Sequence, residues 1–136
     1  MAVVLDTSAL IEIERSLPGG EPPEAVTDED VLIPAVVWAE ALIGVRLANS
    51  PVRAARRRAQ LEAIRQHAEI APFTAEIAEH YADVYTELSE SGALIPQNDI
   101  AVAATARSVS WPLLIGSHDE IHSRRVRSLH LRVVSA

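Results

Sequence analysis

The sequence contains no cysteine and no lysine. Without thiols there is no disulfide framework, no thiol nucleophile and no Cys-ligated zinc. All 12 basic residues are arginine, so every cationic contact available is a planar fork suited to phosphate or carboxylate. Long apolar runs are missing too. Met1–Leu5 and Ala35–Ala39 fall far short of the roughly 18–20 residues that span a membrane. The opening MAVVLD has no basic segment and no cleavage pattern, so no secretory signal is expected and the expected compartment is the cytosol. An excess of positive charge is also absent. The net charge is −7 and the pI about 5.1, which argues against a generic nucleic-acid coat.

What is present is a chain of 136 residues, 49% hydrophobic and 23% charged. That is one domain's worth, with enough apolar content for a core and no sign of a disordered tail. No internal repeat appears. Ala2–Leu5 reads as a short strand ending at Asp6, followed by a helix from Thr7 to Arg15. Leu17 to Pro23 (LPGGEPP) is a breaker cluster and a loop. Val31–Ile33 is a second strand. Pro34 then starts a helix reaching about Ala48, and Ser50 caps another that begins at Pro51 and reaches about His67. Ile70–Phe73 is a brief extended run. Thr74 caps a helix with the stripe Ile77, Tyr81, Val84, Tyr85 and Leu88, which Gly92 ends. Pro96 to Val109 is a further helix, and Leu113–Gly116 and Leu131–Val134 are strands. Short apolar strands alternating with helices predict an α/β fold, a parallel sheet covered on both faces. Such folds bind ligands beyond the carboxyl ends of the strands.

That rule directs attention to acids. Asp6 follows AVVL and Asp119 follows LLIGSH, each where a strand hands over to the next segment. Either one also reads as a helix N-cap. Glu40 lies in AVVWAEALIG, with Val36, Val37, Ile43, Gly44 and Leu47 at helical spacing around it. A carboxylate inside an apolar stripe needs a partner: either an arginine in a buried ion pair, or a metal at the edge of the core. Asp99, in NDIAVAATA, heads a face of Val102, Ala103 and Ala106; the competing reading is an N-cap shared with Asn98. If the acids converge, like charges about 4 Å apart repel by roughly 4 kcal/mol each at an effective dielectric near 20. Only cations make such a cluster sensible, and all-oxygen ligands favour Mg²⁺ or Mn²⁺ over zinc. A carboxylate-held Mg²⁺ is suited to phosphate chemistry.

At these residues the sequence resembles a PIN domain, specifically a VapC-type toxin ribonuclease, over nearly its whole length. VVLDTSALI resembles the family's opening and carries Asp6 with the hydroxyls Thr7 and Ser8. PAVVWAEALIG resembles the segment holding the family's Glu, here Glu40; NDIAVAATA resembles the segment holding its next Asp, here Asp99. LLIGSHDEIH resembles the late strand and its hydroxyl-x-acid motif, giving Ser117 and Asp119. Two positions depart from the common pattern: His122 stands where an aromatic is usual, and Ser117 where Thr is usual. The resemblance implies a three-layer α/β/α domain with a short, mainly parallel sheet. It further implies Mg²⁺-dependent endonucleolytic cleavage of RNA, with Mn²⁺ as a substitute, by Asp6, Glu40, Asp99 and Asp119. Thr7, Ser8 and Ser117 would support them. A VapB-type antitoxin and a homodimer are implied as well.

For RNA contact the cationic candidates are Arg53, Arg56, Arg57 and Arg58, and then Arg124, Arg125 and Arg127 just after Asp119. The competing reading of each run is a solvated helix face. His118 and His122, four apart, lack a third nitrogen ligand for zinc. Trp38, Trp111, Tyr81 and Tyr85 read as core or interface. An aspartyl-nucleophile phosphohydrolase would want an acid two residues after Asp6, where Ser8 stands. A housekeeping RNA-processing nuclease of the same family and a catalytically silent partner-binding domain compete with the toxin reading.

Overall fold

A computed structural model describes residues 2–16, 30–116, 126 and 129–134. In chain order, β1 (Ala2–Leu5) leads into α1 (Thr7–Arg15). β2 (Asp30–Pro34) leads into α2 (Ala35–Arg46) and α3 (Pro51–Arg65). β3 (Ala68–Ala71) precedes the long helices α4 (Ala75–Glu90) and α5 (Gln97–Val109), and β4 (Leu113–Ile115) and β5 (Leu131–Val133) complete the sheet. All neighbouring strands pair in parallel, in the order β3-β2-β1-β4-β5. The expected covered parallel sheet is thus present. Val3, Val4 and Leu5 are all fully buried although successive strand side chains point to opposite faces. That pattern requires protein on both sides of β1.

Most of the expected helix starts hold for the expected reasons. Ser50 Oγ accepts from the Arg53 amide at 3.2 Å, and Thr74 Oγ1 accepts from the Ile77 amide at 3.2 Å. After α4, Gly92 adopts a left-handed φ of 68°. The Ala93 amide reaches back to the Leu88 carbonyl and the Gly92 amide to that of Ser89, which closes the helix's free carbonyls. Two boundaries differ. Pro34, expected to start a helix, is the last residue of β2 and the N-cap of α2. The third strand lies at Ala68–Ala71, two residues before the expected Ile70–Phe73, because its register is set by pairing with Val31–Pro34 rather than by Pro72 and Phe73. Tyr85 falls on the open side of the α4 stripe, 40% exposed.

The helix that matters most for the site is α5. Ile100 through Ala106 are all buried, so this helix is enclosed on every side. It packs on α4, on α2 and on β1 and β2. Its small side chains, AVAATA, permit that close approach on several fronts. An enclosed helix has a fixed axis, and its amino end is therefore fixed as well. Among the described residues no helix is long and apolar enough to cross a membrane.

Candidate metal and nuclease site

In this strand order the sheet grows outward from β1 in both directions, β2 and β3 on one side and β4 and β5 on the other, so β1 and β4 mark the switch point. The crevice for a ligand lies beyond the carboxyl ends of those two strands. Asp6 stands there. Its amide continues the sheet by donating to the Leu114 carbonyl at 3.1 Å. Its side chain also caps α1, because Oδ1 accepts from the Ala9 amide at 2.8 Å. The cap reading and the site reading of Asp6 are therefore compatible. One carboxylate is held in one orientation by the helix whose entrance it closes.

Ser8 ties this corner to β4. Its hydroxyl donates to Asp6 Oδ1 at 2.8 Å and accepts from the Gly116 amide at 2.9 Å. The approach is so close that a Cβ on Gly116 would stand 3.0 Å from Ser8 Cβ and Oγ, and 3.1 Å from Glu12 Oε2. Glycine is needed here for space. Motif and spacing pointed to neither Gly116 nor Glu12; a glycine at the exit of a buried strand is the signal that marks such a close approach. No described hydrogen bond involves the Thr7 side chain.

Glu40 departs from expectation. The apolar stripe around it does not all face the core. α2 buries Val37, Trp38 and Ala41, whereas Ile43 is 54% and Leu47 76% exposed. Glu40 flanks the buried face and is half-buried. Among the described residues no arginine pairs with it. Among the described residues its polar partner is Asn98, whose Nδ2 donates to Glu40 Oε1 at 3.1 Å. Asp99 is not an N-cap either. The cap of α5 is Pro96, with no side-chain cap bond, and Asp99 sits in the first helical turn, where the helix dipole favours an anion. The Glu40–Asn98 bond brings α2 to the amino end of α5, and so brings Glu40 to the segment that carries Asp99.

Ser117, Asp119, His118, His122, Arg124, Arg125 and Arg127 lie outside the described residues. Among the described residues no three His, Asp or Glu side chains are grouped closely enough to hold a metal ion, so Asp6, Glu40 and Asp99 do not by themselves form such a group; Asp119 is not among those residues. In its chemistry, all oxygen, the donor set suits a hard divalent cation. It consists of carboxylates at the rim of the core, and Glu40 is held by a neutral amide that orients it without cancelling its charge.

One of the arginine candidates belongs elsewhere. Arg57 Nε pairs with Glu14 Oε1 at 3.1 Å, and Glu14 is only 2% exposed. Arg57 Nη1 also donates to the Gly44 carbonyl at 2.9 Å. Arg57 therefore fastens α1, α2 and α3 together, a structural role. Arg58 pairs with Glu62 along α3 at 3.0 Å. A cavity of about 410 Å³ opens at the other end of the sheet, beside Asp30, His67, Glu69 and Trp111; no site acid lines it.

The chain was compared with known proteins. It matches the PIN-domain family over residues 3–127. It is 33% identical over 118 residues to Ribonuclease VapC5 of Mycobacterium tuberculosis, covering 87% of this chain and 84% of that protein. Among solved structures, the fold resembles that of VapBC2 from Rickettsia felis bound to a promoter DNA fragment (TM-score 0.82, 20% identity, covering 99% of this chain and 100% of that one). It also resembles VapBC-5 from Mycobacterium tuberculosis, a member of the VapBC toxin–antitoxin family (TM-score 0.72, 26% identity, covering 99% of this chain and 98% of that one). With an acid at the switch point of a parallel sheet, and a family match spanning nearly all of the chain, the protein belongs to the PIN-domain family.

Proposed function

We propose that this chain is a metal-dependent endoribonuclease and the toxin of a VapBC-type toxin–antitoxin module. Membership of the PIN-domain family and 33% identity to a protein named Ribonuclease VapC5 support the nuclease reading. The observation that carries the site assignment is Glu40, a helix carboxylate at the core's edge whose described partner is a neutral amide rather than a cation. Such a charge is reached by water and stays available to a cation that displaces that water.

In this reading Asp6, Glu40, Asp99 and Asp119 hold Mg²⁺, with Mn²⁺ able to replace it. A divalent ion held there supplies a lowered pKa for water and neutralises charge developing on the phosphoryl oxygens. The chain's own part is positioning. The Ala9 amide and the Ser8 hydroxyl fix Asp6. The enclosed α5 fixes the height of Asp99, and Asn98 steadies Glu40. Ser117 and Thr7 support neighbouring carboxylates. Arg124, Arg125 and Arg127 neutralise RNA phosphates, local cations that offset a net charge of −7.

A VapB-type antitoxin is the proposed partner, and a homodimer the proposed assembly. The chain offers apolar surface for such contacts: Ile43, Leu47 and Val52 near the α2–α3 corner, and Phe73, Tyr85 and Leu94 on and beside α4, are all exposed. The direct test is cleavage of an RNA mixture by the purified chain. Cleavage is expected in Mg²⁺ or Mn²⁺, with 5′-phosphate ends, and none in excess chelator. Undiminished cleavage in chelator overturns the reading. Growth rescue and co-purification with the product of the adjacent gene test the toxin assignment separately.

A further inference from the structure

Asn98 is the least expected participant. It stands at the second residue of α5, one before Asp99, and asparagine near a helix start ordinarily bonds its own backbone. Here Pro96 occupies the cap position, and no side chain caps the helix. The Asn98 amide crosses to another helix and donates to Glu40 Oε1 at 3.1 Å.

Both backbones in this contact are held from behind. α5 buries every residue from Ile100 to Ala106, and α2 is anchored by buried Val37, Trp38 and Ala41. The freedom left between them is rotation of two side chains. Glutamate has three such torsions and, half-exposed, samples several orientations unless a bond selects one. Asn98 supplies that bond. Its chemistry matters as much as its reach. An arginine at the same place would also orient Glu40, but its charge would compete with a cation for the carboxylate. A neutral amide orients the carboxylate and leaves its charge available.

We infer that Asn98 is a positioning residue that holds the Glu40 carboxylate for a divalent cation and thereby sets the site's cation affinity. This inference rests on the metal-site reading above. It assigns Asn98 no contact with RNA and no part in proton transfer.

The test is Mn²⁺ binding to the purified chain, followed by electron paramagnetic resonance of the free ion, alongside cleavage measured over a range of Mg²⁺ concentrations. Asn98→Ala is expected to weaken Mn²⁺ binding about tenfold, the scale on which partners of metal ligands act. The Mg²⁺ concentration for half-maximal cleavage should rise by a similar factor. The rate at saturating Mg²⁺ and the KM for RNA should stay unchanged. Asn98→Gln keeps the donor on a longer arm and should recover part of the loss. In a Glu40→Gln background, Asn98→Ala should have no further effect on binding, because its influence passes through Glu40. Asn98 is exposed, so the variant's melting curve should match wild type and exclude general unfolding. If wild type binds Mn²⁺ and Asn98→Ala binds it equally well, the inference is overturned and the metal-site reading stands. An Asn98→Ala effect of full size in the Glu40→Gln background also overturns it. If wild type binds no Mn²⁺, the metal-site reading falls and this inference falls with it.

Discussion

Glu14 and Glu40 are both glutamates on helices at the edge of the same core, yet their surroundings are opposite. Glu14 is almost wholly buried and meets Arg57 at 3.1 Å. That arginine is itself braced by the Gly44 carbonyl and lies so close over Gly44 that a Cβ there would stand 2.8 Å from Nη2. Glu40 is half-buried and meets only a neutral amide among the described residues. The first acid has its counter-charge built into the fold, so it serves structure. The second has been given orientation without neutralisation. A half-exposed carboxylate held in that way keeps its charge, which water or a cation can balance. The pair sets an acid that holds the protein together against one that the proposed function places at a metal site.

The sharpest way to break the comparison is to neutralise the acids placed at the proposed site. Glu40→Gln and Asp99→Asn should lower RNA cleavage by at least about a hundredfold, the scale on which charged groups acting at a developing charge contribute. Both variants should remain folded, as circular dichroism will show. Metal-free melting should be no lower than wild type, since each change removes like-charge repulsion. A marked drop in the melting temperature of Asp99→Asn would instead make Asp99 a structural residue.

The converse change acts on stability. Arg57→Ala strands the buried Glu14 carboxylate, and loss of one partner of a buried pair costs about 3 kcal/mol. Urea unfolding should show this, while cleavage per folded molecule at low temperature stays near wild type. A selective loss of RNA affinity, with stability unchanged, would return Arg57 to the RNA surface.

Gly44→Ala sharpens the same point at smaller scale. Alanine favours a helix over glycine by about 1 kcal/mol, but here its Cβ would press on a guanidinium held from two directions. The expected result is a net loss of about 1 kcal/mol in wild type. In an Arg57→Ala background the sign should reverse and the glycine replacement should stabilise. Equal effects in both backgrounds would show that the guanidinium is not the obstacle.

The smallest effect concerns a pair that resembles neither glutamate. Arg107 meets Glu87 between α5 and α4 at 3.1 Å, but Glu87 is 41% exposed. Solvent and salt screen such pairs, and Glu87→Gln should cost less than about 1 kcal/mol. Comparing it with Arg57→Ala in one denaturant series separates burial from mere ion pairing.

Much of this is legible in the sequence, for local reasons. The strand AVVL ending at Asp6, the Ser50 and Thr74 caps and the alternation of strand and helix all depend on neighbours within a few positions, and the structure follows them. The partner of Glu40 is not legible. Periodicity treats every apolar position of its helix as core-facing; Ile43 and Leu47 are nonetheless exposed, because α2 turns Val37, Trp38, Ala41 and the partly buried Leu42 and Val45 inward. Nor does spacing reveal that Arg57, in a run of three arginines, turns inward. That choice is made by Glu14, 43 residues earlier, and by the lack of a side chain on Gly44. The Ser8–Gly116 contact spans 108 residues and depends on β1 and β4 being neighbours, a fact of sheet order that no local pattern encodes.

The central claim is that the charge on Glu40 is left for a divalent cation, and one measurement addresses it directly. Thermal melting of the wild type and of Glu40→Gln is followed as Mn²⁺ is added, with equal ionic strength maintained by a monovalent salt. A cation that binds only the folded chain stabilises it by RT ln(1 + c/Kd), where c is the free Mn²⁺ concentration, so the melting temperature begins to rise once Mn²⁺ passes Kd. The account predicts a rise for wild type whose onset is lost, or shifted to at least about tenfold higher Mn²⁺, in Glu40→Gln. Identical Mn²⁺-dependent curves for the two proteins would contradict it.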